Sequence, residues 1–316
     1  METLAARAGR DHAVDAGVVR KMRLLVTLML AFPPSAIFAA SQAATPEAVA
    51  ADPVALVRRA AHNELTDTNN GHPYRYKLHK IDGAKITTKE IVETKDGDVA
   101  RLIAVHDEPL TPEAAQAELD RLNTLMDHPE IQEHRHKREQ EDSNRANEMI
   151  RLLPDAFIYH FEGMGDGPNG PAFRLSFKPN PKFTPPDREA EVYHGMEGEL
   201  WIDQGQERMV KLNAHLIDDV EFGWGILGRL YKGGSLTVEQ ADVGDHHWEN
   251  THMKLNLHGK ALFFKSLDFE TTEDASDFAP APPHGTYQDA IKLLESIYGE
   301  NGQARENGQA QLAQHK

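Results

Sequence analysis

The residue types best suited to chemistry in this chain are its histidines. The sequence contains 17 of them, and the most suggestive group is His246-His247, which precedes Trp248 in a predicted turn. Zinc needs three or four converging ligands, usually on short spaced motifs, and H-E-x-x-H is absent from the sequence. We therefore predict surface histidines, no metal site and no cofactor. A metal-dependent hydrolase is the least favoured candidate function.

Two acid pairs, Glu197 with Glu199 and Asp218 with Asp219, have side chains that act in general acid–base catalysis. In an acidic protein such residues are more often edge-strand charges, which oppose pairing between sheets. The sequence also lacks G-x-S-x-G and S-x-x-K, the motifs of two classes of serine enzyme. These observations predict a protein that is not an enzyme.

One glycine motif invites a nucleotide interpretation. Residues 223–228 read GWGILG and match the G-x-G-x-x-G pattern. That pattern indicates a dinucleotide only between a parallel strand and a helix, whereas the surrounding sequence predicts antiparallel strands. We interpret these glycines as a sharp corner that tucks Trp224 under the sheet.

Apolar side chains alternate along several predicted strands, as expected where one face of each strand is buried. Such residues form either a core or the lining of an apolar cavity. The segment 260–265 places bulky apolar groups between two lysines, which is typical of a core strand and would also suit the lip of a lipid site. The candidate ligand-binding residues are Phe157, Tyr159, Phe161, Phe173, Leu175, Phe177, Trp201, Leu212, Trp224, Phe263 and Phe264.

Charge and composition exclude some partners. The chain has 34 basic and 50 acidic residues, a net charge of −16. Phosphates require a basic surface, so we predict no nucleic-acid partner, and the same charge disfavours a general attraction to anionic lipid headgroups. Because the chain has no cysteine, disulfides, thiol catalysis and a lipid-modified N-terminal cysteine are impossible.

Residues 1–44 are predicted to be an N-terminal extension and a secretory signal peptide. Lys21 and Arg23 precede the apolar run 24–32, and two prolines and a stretch of small residues follow. The run is too short to span a bilayer, which takes about 20 apolar residues. Met22 is a candidate start, and we expect cleavage near Ala39–Ala44. The mature chain is expected in the periplasm or outside the cell, with no transmembrane segment.

The segment 195–236 forms the centre of the predicted fold. Leu200 and Ile202 alternate with their neighbours, and a second alternating run from Met209 to Leu216 follows a short polar turn. Two such runs joined by a short turn predict an antiparallel hairpin. Similar runs recur along the chain without βαβ alternation, so about ten antiparallel strands are expected.

Three amphipathic helices are predicted at 53–62, 111–126 and 286–298, packed on or beside the sheet. The segment 130–153 is helical but almost wholly charged, which predicts a polar helix that projects into solvent. Residues 162–173 are rich in glycine and are predicted to form a loop.

A family resemblance rests on two segments. Residues 198–214 read GELWIDQGQERMVKLNA, and residues 219–234 read DVEFGWGILGRLYKGG. They resemble a family of uncharacterised exported bacterial proteins whose strand pattern is similar to the periplasmic lipoprotein-carrier superfamily. The resemblance covers about 150–270, with the strands from 74 compatible. It implies a curved antiparallel half-barrel, with helices over its concave face and an apolar cavity for acyl chains.

The resulting fold prediction is α+β. It comprises a strongly curved antiparallel sheet of about ten strands with covering helices and a long polar helix. One domain is expected over 45–298, with a disordered polar tail over 299–316. The favoured function is non-catalytic binding of a lipid or of lipoprotein acyl chains in the sheet's concavity, under helices that act as a lid. The alternative is an interaction or envelope-stress sensor module with a protein partner in the envelope.

Overall fold

The computed structural model describes residues 44–66, 72–222, 228–261 and 265–299. Most of the predicted signal peptide, Trp224, Phe263, Phe264 and the tail from 300 lie outside these ranges. Within them the chain has the predicted α+β architecture. Its helices are α1 (Pro46–Ala51), α2 (Pro53–Thr66), α3 (Pro112–Asp127), α4 (Pro129–Ala156) and α5 (Tyr287–Tyr298), with a 3-10 helix at Glu189–Gly195.

Thirteen strands of the described residues form one antiparallel sheet, against about ten predicted. Its main path runs β4-β3-β2-β1-β13-β12-β11-β8-β7-β6-β5, and the short strands β9 and β10 pair at the side of β12. The strands are β1 (Tyr74–Asp82), β2 (Lys85–Val92), β3 (Val99–Val105), β4 (Glu108–Pro109), β5 (Phe157–Gly167), β6 (Gly170–Pro179), β7 (Met196–Asp203), β8 (Met209–Leu216), β9 (Val220–Phe222), β10 (Gly228–Leu230), β11 (Ser235–Asp242), β12 (Trp248–Ala261) and β13 (Lys265–Pro280).

The sheet is open rather than closed into a barrel, because β4 and β5 lie at opposite ends of its path. The early strands join the late ones through β1 and β13. This pairing runs from Tyr74 opposite Pro280 to Asp82 opposite Thr271, with one irregularity between Arg75 and Lys77. The predicted hairpin of β7 and β8 is confirmed, with Leu200 opposite Leu212.

The two faces of the sheet are defined by residues on its central strands. Residues directly opposite on neighbouring strands share a face. Face 1 carries Leu212, Val238 and Met253, which lie opposite one another on β8, β11 and β12. Face 2 is the other side and carries Lys211 and Glu239.

At the β5–β8 end of the sheet, α1 and α2 pack on face 1. Val49 of α1 and Leu56 of α2 share a buried core cluster with Leu175 of β6 and Leu200 of β7. Leu200 is on face 1 because it lies opposite Leu212. The amphipathic pattern of α2 therefore buries its apolar side against the sheet, as predicted.

At the β1–β3 end, α3 and α5 pack on face 2 instead. Met253 lies opposite Glu273, which lies opposite Lys80. Lys80 in turn lies opposite Thr87 of β2, so Thr87 is on face 1. Val92 is an odd number of residues from Thr87 and therefore points to face 2. The helices thus cover both faces of the sheet rather than one. The second cluster joins Val92 and Val99 to Leu122 and Leu125 of α3 and to Ile291 and Leu294 of α5.

The long helix α4 does not project into solvent, so that prediction was wrong. Its N-terminal half packs on the turn after β2, where Gln132 Nε2 donates to the Asp96 carbonyl over 3.0 Å. Its C-terminal half reaches the other end of the sheet, where Tyr193 Oη donates to the Met149 carbonyl over 2.8 Å. The buried stripe is polar, so hydrophobic periodicity missed it; it consists of Gln132, Arg135, Glu139 and Ser143. No helix of the described ranges combines the length and apolar character needed to span a bilayer.

The predicted glycine-rich loop over 162–173 is also wrong, because β5 and β6 continue through most of it. The two strands pair as far as Gly167 opposite Gly170, with an irregularity between Phe161 and Gly163. Gly165 is required by packing, since an added Cβ would lie 2.8 Å from the Trp201 ring. Glycine here permits close approach within a sheet rather than a loop.

Candidate functional site

The central strands β8, β11, β12 and β13 carry different chemistry on their two faces. Face 2 is polar, and its charges pair across neighbouring strands. Lys211 Nζ lies 2.6 Å from Glu239 Oε1, and His252 Nδ1 lies 2.7 Å from Asp274 Oδ1. Partly exposed pairs of this kind add little stability but keep this side of the sheet compatible with water.

Face 1 of the same strands is apolar and only half covered. No residue of β11 is buried, and Phe269 of β13 is 45% exposed. Leu236 lies opposite Leu255, and Leu257 lies opposite Phe269, so these side chains form neighbouring apolar pairs. The row of Leu236 and Leu255 ends at Thr271 on β13. We call this surface the apolar strip. It comprises Leu212, Leu236, Val238, Met253, Leu255, Leu257 and Phe269.

The strip ends at charged side chains toward β1. Met253 lies opposite Glu273, which lies opposite Lys80 on β1. Lys80 Nζ is 3.0 Å from Glu273 Oε1, and both residues are buried. Lys89 of β2 is also buried on this face, opposite Leu78. Face 1 therefore passes from apolar side chains to two ammonium groups and a carboxylate.

The structure brings most of the predicted site residues together, but in a packed core. Phe157 packs on Phe177 at a ring-centroid distance of 4.6 Å and on Tyr193 at 5.0 Å. Phe161 and Leu212 are partly buried against the same cluster. Residues of α1, α2, α4 and the 3-10 helix pack around these side chains. The buried residues are Phe157, Tyr159, Phe173, Leu175 and Phe177.

The tyrosines of this core are held neutral by burial. Tyr159 Oη donates to the Leu153 carbonyl at 2.8 Å, next to the end of α4. Burial raises the pKa of Tyr159 well above its usual value, and it also raises the pKa of Tyr193. Both phenols act as hydrogen-bond donors that fix α4, a structural role that a period-two pattern does not reveal.

The remaining candidates lie elsewhere. Trp201 is on face 2, opposite Lys211, and packs with Ala172, Val210 and Trp248 rather than with the aromatic core. The Arg174 guanidinium lies 5.1 Å from its ring centroid. Trp224, Phe263 and Phe264 fall outside the described residues. The set of predicted site residues is thus divided between a filled core and the opposite face.

A groove of about 800 Å³ lies between α2 and the turn from β7 to β8. Its walls are mainly polar. Arg59 Nε lies 2.8 Å from Glu207 Oε2, and the hydrogen bond to Glu207 raises the pKa of Arg59. Arg58 lies 3.0 Å from Asp155. Paired charged side chains therefore line part of the groove, among them Arg59 and Glu207.

A cluster of three possible metal ligands lies at the turn between β11 and β12. Glu93, His247 and Glu249 each offer one ligand atom, and these atoms lie within 4.8 Å of one another. Glu93 and His247 are only 3% and 1% exposed. Sequence reasoning singled out His247 but missed Glu93, because no local motif connects two positions so far apart in the chain.

Comparisons with known proteins give structural similarity only. No protein-family model matches the chain, and no curated protein matches it significantly. One similar solved structure is a domain from Vibrio parahaemolyticus described as an outer membrane lipoprotein-sorting protein. It is 11% identical, with 77% of this chain and 97% of that chain covered and a TM-score of 0.30.

Two further solved structures are also similar to this chain. A DUF1329 family protein from Desulfovibrio piger is 13% identical, with a TM-score of 0.24. A LolA superfamily protein from Nitrosomonas europaea is 7% identical, with a TM-score of 0.23. Each comparison covers 72% of this chain and 93% of the other. Such distant similarity transfers neither a ligand nor an activity.

Proposed function

We propose that this protein is an exported, non-catalytic binder of an acyl-bearing amphiphile, which lies on face 1 of the central strands. The observation that carries the proposal is the contrast between the two faces of β11, β12 and β13. One face is apolar and half covered, whereas the other pairs its charges and faces water. A sheet that needed no ligand or partner would have little reason to leave an apolar face half covered.

The energetics favour a chain of methylene groups. Each buried CH₂ contributes about 0.8 kcal/mol, so eight of them on the strip would contribute about 6 kcal/mol before ordering costs. The strip adjoins the core cluster through Leu212, which packs against it. At its far end the strip is bordered by the Lys80–Glu273 ion pair, which gives face 1 a polar boundary. The surface therefore suits an acyl chain whose polar end lies toward β1.

The predicted site residues enter this proposal in a different role. Phe157, Phe173 and their neighbours support the floor under α1 and α2, while the strip is the contact surface. If α2 moves as a lid, the aromatic core becomes an extension of the same apolar face. Export to the periplasm or beyond remains part of the proposal, on the strength of the N-terminal sequence pattern.

The test is a binding titration of the full-length mature chain with a fluorescent fatty acid. Leu255→Glu and Phe269→Glu place a charge in the strip, and we expect each to weaken binding at least about tenfold, equivalent to about 1.4 kcal/mol. Lys254→Glu is the matched control, because Lys254 pairs with Thr237 and Thr272 on face 2. Its affinity should equal that of the wild type.

Native mass spectrometry of protein purified from its own envelope gives the complementary readout. A lipid or acylated peptide retained at about one per chain would support the proposal and identify the cargo. A ligand-free mass, together with no uptake of the fluorescent probe, would overturn it. The strip would then be assigned to a protein partner.

A further inference from the structure

We propose that Glu93, His247 and Glu249 form a binding site for one divalent transition-metal ion, with zinc the best match. The site is separate from the apolar strip and does not depend on lipid binding. It joins the turn after β2 to the hairpin turn between β11 and β12.

The donor set suits the ion. One imidazole nitrogen and two carboxylate oxygens are zinc ligands, and three protein ligands leave a fourth position for water. His247 Nε2 lies 2.8 Å from Glu249 Oε1, so these two donor atoms already face each other, and a bound ion would replace their direct contact. Small side-chain rotations would bring all three atoms to bonding distance, starting from separations within 4.8 Å.

Burial adds an electrostatic reason. Two carboxylates attract a divalent cation, and the attraction is stronger where the ligands are shielded from water. Glu93 and His247 are buried and Glu249 is half-buried, so the ligands are shielded on one side and open to an entering ion on the other. The neighbouring turn residues Gly244, Asp245 and His246 are exposed, which gives the ion a route from solvent.

The backbone holds the histidine in place before any ion binds. Asp245 and His246 have φ angles of 53° and 59°, in the left-handed region. His247 N donates to the Gly244 carbonyl at 2.9 Å, and Val243 N donates to the His247 carbonyl at 2.8 Å. Strained turn residues fixed by surrounding hydrogen bonds often mark functional positions.

Tyr74 contacts both His247 and Glu93. Its ring stacks on the imidazole of His247 at a centroid distance of 3.7 Å, and its backbone N donates to Glu93 Oε2 at 2.7 Å. One residue of β1 therefore orients two of the three ligands, as supporting residues around metal sites do. A bound ion would connect the turn after β2 to the start of β12.

The experiment is equilibrium dialysis of the full-length mature chain against Zn²⁺ alone, with metal analysis and thermal unfolding. We expect about one zinc per chain and a higher unfolding temperature with zinc. His247→Asn and Glu249→Gln should each weaken zinc binding at least about tenfold. His246→Asn is the matched control, since His246 is the exposed neighbour in the same turn, and it should bind zinc as the wild type does.

Two results would overturn the proposal of a zinc site at these residues. One is a wild-type chain that takes up no more zinc than His247→Asn does. The other is an equal loss of zinc in His246→Asn, which would mean binding at surface histidines. If His247→Asn fails to fold, Glu249→Gln at the half-buried position decides the question.

Discussion

Tyr298 Oη donates a hydrogen bond of 2.6 Å to Glu90 Oε2, and this bond joins the last turn of α5 to β2. Glu90 is fully buried and also pairs with Arg75. The Arg101 guanidinium lies 5.4 Å from the Tyr298 ring and donates to the Leu294 and Gly299 carbonyls at 3.0 and 2.8 Å. A buried polar network therefore caps α5 and fixes it on face 2.

Replacing Tyr298 with phenylalanine should lower the free energy of unfolding by about 1–3 kcal/mol, since Glu90 would lose a buried donor. Urea unfolding followed by circular dichroism measures the change. Tyr231→Phe, at a half-exposed tyrosine, is the control and should cost much less. Equal costs for the two variants would contradict a structural role for the Tyr298 hydroxyl.

Stability should also fall at alkaline pH. Burial raises the pKa values of Tyr159, Tyr193 and Tyr298 in the folded state, and the hydrogen bond to Glu90 adds to the effect at Tyr298. A group whose folded pKa is raised contributes stability below its unfolded pKa, about 10 for tyrosine, and loses it as pH rises further. The urea midpoint should therefore decrease from pH 9 to pH 11. Tyr298→Phe should show a smaller decrease, and an unchanged slope would refute its part in the effect.

Gly97→Ala should loosen the N-terminal half of α4. Gly97 has a φ of 98°, and an added Cβ would lie 2.8 Å from Glu139 Oε2 and 2.9 Å from His136 Nδ1. We expect a loss of about 1–3 kcal/mol from backbone strain and displaced polar contacts, with faster hydrogen exchange over 132–139. Gly83→Ala is the control, because it shares a positive φ of 56° but has nothing within 4 Å. The idea fails if both variants exchange alike over that segment.

Alanine substitutions at Phe173 and Phe269 should have different effects, because one residue lies in the core and the other on the proposed contact surface. Phe173 is fully buried, so Phe173→Ala should cost about 3–5 kcal/mol in unfolding free energy. Phe269→Ala should cost little stability and should weaken fatty-acid binding instead. Chemical unfolding and probe titration on both variants measure the contrast. A small stability loss at Phe173 would show that its ring lines open space rather than the core.

The N-terminal prediction has a direct test. Protein collected from the periplasm or medium of the native host should begin between Ala39 and Ala44, as read by intact-mass analysis and N-terminal sequencing. Placing a charged residue in the apolar run 24–32, as in Leu28→Arg, should block export, because the run drives recognition by the secretion machinery. Normal export of this variant would exclude the run as the signal.

Period-two patterns located the strands well, because burial on a sheet alternates with residue number. Tyr74, Tyr76 and Leu78 are buried while their neighbours are half exposed, as predicted. The end of α2 was harder to predict. The helix continues past Asn63, and Glu64 binds Arg208 at 3.0 and 2.9 Å, a long-range ion pair without a local signal.

The lack of a local signal for long-range contacts also explains the wrong predictions about the exposure of α4 and about the candidate site residues. Hydrophobic periodicity detects an apolar stripe, whereas α4 buries Gln132, Arg135 and Glu139. Alternation also identifies two faces of a strand without showing which one a helix covers. Phe173 and Leu255 have similar patterns in the sequence, yet α2 packs on the cluster around Phe173 and Leu255 remains half exposed.

The pairing of β1 with β13 sets the order in which the chain can fold. β1 gains its second neighbour only when β13 has been made, so one edge of the sheet formed by β1 to β4 stays unpaired until then. Contacts this distant in sequence close slowly, and β13 also pairs with β12. Completion of the sheet therefore waits until β13 has been made, and until then the free edge of β1 is open to pairing with another chain.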